Sequence, residues 1–387
     1  MKKFGLALLA ITLLSGCATK LPQVSQDFRI QEDEQRLWKR AEEEERVIDR
    51  GGAVVKDEEL EGYLLGVLRR LYDTMVLDRI PFRVSVLRNP QLNAFALPNG
   101  VIYIHTGLLA RMENEAQLAT LLAHEATHVT HRHMVARLRE IKNATAFIAT
   151  LTVSTAGLGG IGALAYSLGT LGTVAAVSGY SKDQEREADR EAFIRVAQAG
   201  YDTGESVRLF VHLMKEKDEE NEKIKTSFFF SSHPHIRERV DNFTELAAAR
   251  REEPIGAERN PERFLERMQK VFLENARLDL RAGRFKSAQA GARKILQQWP
   301  EEGEAYYILG EIFRQRGAEG DPEEAKSYYR RASAYAPSLA EAYRGLGLIL
   351  FKEGDKASAR KVLEQYLTLS PDAKDRTHID YCLEQCR

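Results

Sequence analysis

Gln117-Leu118-Ala119-Thr120-Leu121-Leu122-Ala123-His124-Glu125-Ala126-Thr127-His128 is an apolar run at helical spacing that ends in a His-Glu-x-x-His pattern. On a helix, positions four apart share a face, so the imidazoles of His124 and His128 can aim at one metal ion. Glu125 sits about 100° round from His124, where its carboxylate reaches a metal-bound water without being a ligand itself. Zinc held this way keeps a position open and lowers the pKa of its water to about 7. Those are the parts needed to hydrolyse an amide. Five residues with three fixed arise by chance in many chains. The apolar run raises this case above coincidence, because it buries the helix and buried histidines need partners.

A zinc site with two histidines needs a third protein ligand, and a carboxylate fits. Ser181-Lys182-Asp183-Gln184-Glu185-Arg186-Glu187-Ala188-Asp189 opens a second helix, with Ser181 placed as its N-cap. Glu185 and Asp189 are four apart and share a face. Glu185 can complete the ligand set, and Asp189 can accept the second imidazole N–H of a ligand histidine. The same acidic residues also suit an exposed helix start, where the dipole favours them. His105, His131 and His133 read as non-ligands. His131 shares a face with the pair but lies a turn away from their coordination sphere.

The chain has 387 residues, enough for two domains, and 43% of them are hydrophobic. A net charge of −1 with both signs mixed gives no argument for nucleic acid. Lys2 and Lys3, the short apolar run Phe4–Leu14 and then Leu14-Ser15-Gly16-Cys17 read as an export signal over residues 1–17 rather than a spanning helix. The four residues ending in Cys17 resemble the bacterial lipobox. That resemblance implies cleavage before Cys17, its lipidation, and stable anchoring by several acyl chains. Residues 18–27 then form a tether on the periplasmic face of the outer membrane, with a soluble periplasmic protein as the alternative.

The segment 28–246 reads as one mostly helical domain with a small sheet. Phe28–Ile48 is a charged helix ended by Gly51-Gly52, with Glu42–Glu45 as a solvated face. Asp57–Met75 is a second helix and Pro81–Leu87 a strand. Asn93 to Ile104 reads as strand, turn, strand around Pro98-Asn99-Gly100. Beside a metal site, the strand Asn93, Ala94, Phe95, Ala96 could pair its edge with an extended substrate. The metal helix is expected to run to about Ile141. Ala144–Val177 carries no charge, and its glycines argue against one continuous span. A broken apolar helical pair beside the site and a membrane-dipping or partner-facing hairpin both remain open.

Residues 247–264 read as a connector, and 265–387 as a repeat. Pro300, Pro337 and Pro371 close three helical pairs, Gly283, Gly317 and Gly354 sit at the turn inside each, and Ala288, Ala325 and Ala359 recur in each second helix. The period near 34 is the tetratricopeptide signature. Asp375–Gln385 is expected to cap the stack. Cys382 and Cys386 stand four apart, a spacing that does not favour a disulfide in a regular helix, although an oxidising compartment leaves one open.

The pieces Asn93–Gly100, His124–His128 and Glu185-x-x-Ala188-Asp189 resemble, in order and spacing, the HtpX-type zinc metallopeptidases. The run from His124 to Glu140 and the step Ser232-His233-Pro234 with Arg239 look most like their periplasmic BepA-type branch. The resemblance implies a gluzincin-like α+β domain binding one zinc ion per chain. It implies His124, His128 and Glu185 as ligands, Glu125 as base, Asp189 and Arg239 as their support, and His233 as a fourth ligand that holds the enzyme inactive. It further implies an endopeptidase acting on unfolded or misassembled envelope proteins, with the repeats binding substrates or the outer-membrane assembly machinery. The rival expectation is an assembly factor or chaperone whose zinc site His233 keeps shut.

Overall fold

The computed structural model describes residues 21–143, 179–220, 233, 236–250 and 256–386. The export signal, Cys17 and the apolar stretch 144–177 lie outside them. Among the described residues no helix is long and apolar enough to cross a membrane.

The chain adopts the expected α+β, mostly helical class. It begins with α1 (Glu32–Arg50), α2 (Glu58–Leu71) and α3 (Thr74–Arg79). Strands β1 (Arg83–Leu87), β2 (Ala94–Ala96) and β3 (Val101–His105) follow and form a sheet of order β1-β3-β2. β1 runs parallel to β3, Val84 opposite Ile102, and β2 antiparallel to it, Phe95 opposite Tyr103. The β2–β3 turn needs Gly100, whose φ is +91°. β2 is therefore an edge strand, and it lies against the metal helix α5 (Glu115–Thr130), reached through the short α4 (Thr106–Leu109). Asn114 caps α5 by accepting the Gln117 N–H, and every residue of α5 is buried. α6 (His133–Asn143), α7 (Lys182–Gln198), α8 (Gly204–Glu220) and α9 (Ile236–Ala249) complete this part. Ser181 caps α7 in a reciprocal capping box with Gln184.

Three helix boundaries and two expected surface features depart from the sequence reading. The charged first helix starts at Glu32, because Gln31 and Glu34 form a capping box there. Its expected solvated face is only half so: Glu42 and Glu43 are exposed while Glu44 is buried. The expected helix Asp57–Met75 is two helices, because Asp73 accepts the Val76 N–H and starts α3 afresh. The metal helix stops at Thr130 instead of continuing to Ile141. Arg132 adopts φ +59° and its guanidinium grips the buried Glu34 at 2.5 and 2.7 Å. Part of the expected tether is packed rather than free: Val24 is buried and its N–H donates to Thr130 O at 2.8 Å.

The remaining helices are hairpins: α10 (Pro261–Arg281) with α11 (Phe285–Gln298), α12 (Gly303–Arg316) with α13 (Asp321–Tyr335), and α14 (Ala340–Glu353) with α15 (Lys356–Leu369), closed by α16 (Arg376–Gln385). Ala288, Ala325 and Ala359, one in each second helix, are fully buried. Cys382 and Cys386 are free and buried.

Residues 256–260 do not separate two bodies. Tyr201 bridges Glu258, Arg259 O accepts the Glu115 N–H at 2.9 Å, and Asn260 donates to the Glu115 carboxylate at 3.1 Å. One hydrophobic cluster runs from Leu60 through the metal helix to Phe264, Phe272 and Ile312. Lys294 of α11 donates to the carbonyls of Ala110 and Met112 at 3.2 and 2.7 Å. The first repeat is thus built onto the base of the metal helix.

Candidate metal centre

α5 presents His124 and His128 on one face, as a spacing of four requires. Their Nε2 atoms are 3.1 Å apart. α7 packs along α5 and brings the Glu185 carboxylate to 3.5 Å from each of them. His233 completes the cluster, with Nδ1 3.0 Å from Glu185 and 3.2 Å from His124 Nε2. One donor atom from each of His124, His128, Glu185 and His233 lies within 4.8 Å of the others, and all four residues are buried.

This donor set fits a zinc ion. Burial, joined by neighbouring positive groups, holds the pKa of both His124 and His128 well below the usual imidazole value, so both are neutral. Three imidazole nitrogens and a carboxylate oxygen converge on one buried point. A cation is what makes that arrangement favourable, and two or three imidazoles with a carboxylate are zinc's preferred partners. Burial opposes charging His233, but the carboxylates of Glu185 and Glu125 outweigh it and raise that imidazole's pKa.

Glu125 lies beside the cluster and is fully buried. Its carboxylate oxygens accept no hydrogen bond among the described residues, and His233 Nε2 stands 3.3 Å from Oε1. Burial pushes its pKa up to about 7, a range in which a carboxylate can both take and return a proton. Asp189 Oδ1 is 3.1 Å from His124 Nδ1. Arg239 of α9 clamps Asp189 at 2.6 and 3.0 Å and stacks over Phe210, 4.1 Å from the ring centre. Of the sequence-derived residues, His124, Glu125, His128, Glu185, Asp189, His233 and Arg239 are brought together. Asn93, Ala94, Phe95 and Ala96 lie on the edge strand beside α5, but they are buried.

The sequence reading passed over two neighbours. Tyr180 stacks flat on His128, with ring centres 3.7 Å apart and 12° between planes. Its signal was available, since it directly precedes the N-cap of the helix that carries Glu185. His133, set aside as a non-ligand, puts Nδ1 2.9 Å from His128 Nδ1. Burial pushes its pKa down to about 4. His131 caps the C-terminus of α5, and His105 stands at the start of α4; neither joins the cluster.

Comparison with known proteins agrees with this geometry. Residues 58–247 match the model of peptidase family M48, and residues 273–319 and 317–374 match a tetratricopeptide repeat. A beta-barrel assembly-enhancing protease of Escherichia coli is 29% identical over 159 residues, 40% of this chain and 32% of the relative. The mitochondrial metalloendopeptidase OMA1 of Schizosaccharomyces pombe is 27% identical over 185 residues, 47% of this chain and 52% of the relative. The chain spans about half or less of the length of the curated relatives it matches. On the matched segment, the repeats that follow it and the donor cluster within it, residues 58–247 of this chain are a peptidase family M48 domain, with tetratricopeptide repeats C-terminal to it.

Proposed function

We propose that this chain is a zinc-dependent endopeptidase that cleaves misfolded or stalled envelope proteins, outer-membrane proteins above all. The observation that carries the reading is one buried cluster of His124, His128 and Glu185 with the Glu125 carboxylate beside it. A zinc ion there supplies a Lewis acid for the scissile carbonyl and a water of lowered pKa. Glu125 takes the proton of the attacking water and hands it to the leaving amine nitrogen. Asp189, gripped by Arg239, fixes the ring of His124. The repeats recruit substrates or the assembly machinery, and a lipid on Cys17 keeps the enzyme at the periplasmic face of the outer membrane. The two relatives, named for assembly-enhancing and metalloendopeptidase roles, support this reading.

A second reading is favoured by two features of the site itself. His233 occupies the donor cluster, and residues 93–96 are buried, so an extended peptide reaches β2 only after the site opens. In that reading the chain works mainly as an assembly factor with a shut site. The test measures zinc content and cleavage of an unfolded outer-membrane protein by wild type, Glu125→Gln and His233→Ala. One zinc per chain is expected. Cleavage should fall at least about 100-fold in Glu125→Gln, in line with loss of a general base, and rise in His233→Ala. If Glu125→Gln supports envelope integrity as wild type does, proteolysis is not the main function.

A further inference from the structure

The two ligand histidines are held by different chemistry. His124 Nδ1 faces the Asp189 carboxylate at 3.1 Å and, at 3.0 Å, the Arg239 guanidinium that grips it. At His128 the corresponding neighbour is a nitrogen, Nδ1 of His133, at 2.9 Å. His133 Nε2 in turn lies 3.3 Å from Oε2 of Glu187, which also faces His131 at 3.8 Å. One set of tautomers satisfies these contacts. His128 Nε2 points into the donor cluster, so its proton sits on Nδ1 and is donated to His133 Nδ1. The proton of His133 is then on Nε2, which donates to the Glu187 carboxylate.

The backbone is arranged to allow this. On an unbroken helix a residue five positions on stands about 140° round from His128 and faces away. The helix instead stops at Thr130, Arg132 turns through φ +59°, and α6 restarts at His133. A non-glycine residue in the left-handed region costs about 1 kcal/mol or more and persists where the surroundings fix it. Here the Glu34–Arg132 ion pair does so, both partners being buried. The break returns His133 to the ligand it would otherwise leave.

We propose that His133 and Glu187 are positioning residues for the metal centre, forming a histidine-to-carboxylate relay that fixes the tautomer and ring plane of His128. The proposal rests on the zinc reading of the site. Partners at this remove from a metal change affinity by about 10- to 100-fold when lost. The relay joins α5, α6 and α7 through one line of hydrogen bonds, so the ligand set is tied to the helix break as well as to the two metal-bearing helices.

The test is the zinc dissociation constant of the full chain, read by competition with a chromogenic chelator, for wild type, His133→Leu, His133→Asn and Glu187→Ala. Asparagine places its amide oxygen where His133 Nδ1 stands and keeps an acceptor for His128. His133→Leu is expected to weaken zinc binding by about 10- to 100-fold, and Glu187→Ala by a smaller factor of about 3 to 10. His133→Asn should stay within about 3-fold of wild type, because the acceptor is kept. Equal affinity in wild type, His133→Leu and Glu187→Ala overturns the relay. So does an equal loss in both His133 variants with none in Glu187→Ala, the pattern of a packing role. Glu187 is partly exposed, so Glu187→Ala decides the question alone if His133→Leu is not recovered folded. A wild-type chain that binds no zinc overturns the underlying reading of the site and the relay with it.

Discussion

His105 closes β3 with its side chain fully buried, edge-on to Phe95 with ring centres 6.5 Å apart. Burial pushes its pKa from 6.5 down to about 4, against a weaker opposing contact from the Gln91 backbone. Between those values the unfolded chain binds a proton at this residue that the folded chain refuses. Stability from this residue is therefore full above pH 6.5 and falls as pH drops toward about 4, by about 3 kcal/mol in all. His105→Leu should flatten the decline of melting temperature over that window relative to wild type. An unchanged decline would mean His105 is not the residue that titrates. Single residues were the scale most legible in the sequence where spacing alone fixes geometry. His124, Glu125 and His128 are set by the pitch of one helix, and Glu185 and Asp189 by the pitch of another. His133 was not legible, because its place depends on a turn at Arg132 that a buried glutamate far back in the chain imposes.

That turn belongs to the scale of elements. Hydrophobic periodicity carries no mark at residues 131–132, so a continuous helix was the natural reading, and the structure breaks it through the Glu34–Arg132 pair. Arg132→Leu leaves a buried carboxylate without its partner and should cost about 3–5 kcal/mol. Chemical denaturation is the measure, and the double variant Glu34→Leu/Arg132→Leu should recover most of the loss. If the double variant is no more stable than the single, the break is held by something else. Helix ends set by side-chain caps were missed in the same way at Glu32 and Asp73, since a cap is legible only once the neighbouring elements fix which of several polar residues serves. The repeats were read more fully, because each hairpin contacts its neighbours through recurring positions. A Cβ on Gly310 would come within 2.8 Å of the Tyr329 ring, and one on Gly345 closer still. The Tyr329 hydroxyl is tied to Glu311 at 2.5 Å, so the ring cannot retreat. Gly345→Ala is therefore expected to destabilise the chain by about 1–3 kcal/mol, the cost of overpacking. A melting curve unchanged from wild type would contradict it.

At the scale of the whole molecule the sequence suggested two bodies joined by a charged, proline-bearing connector. Composition marks a connector but does not say what it rests against. Here residues 258–260 supply the carbonyl that accepts the first N–H groups of the metal helix and the amide that holds its buried Glu115. The helix that follows sinks Phe264, Met268, Val271 and Phe272 into a core shared with α2 and the metal helix, all four 2% exposed or less. Each such side chain contributes about 1.5–3 kcal/mol, and together they rival the roughly 5–15 kcal/mol by which a native protein is stable. The peptidase domain should therefore not stand without the first repeat. A chain ending at Arg250 is expected to lose cooperative melting and zinc binding together. One ending at Gln298, which keeps α10 and α11, should hold its zinc and melt in one transition. Calorimetry with zinc analysis on both truncated chains distinguishes the cases. A chain ending at Arg250 that melts cooperatively with zinc bound would show that the repeats are an appendage, and that whatever engages them acts on the metal helix only at a distance. The opposite result makes the first repeat the floor of the metal site, so that any load on the stack bears directly on the helix holding His124 and His128.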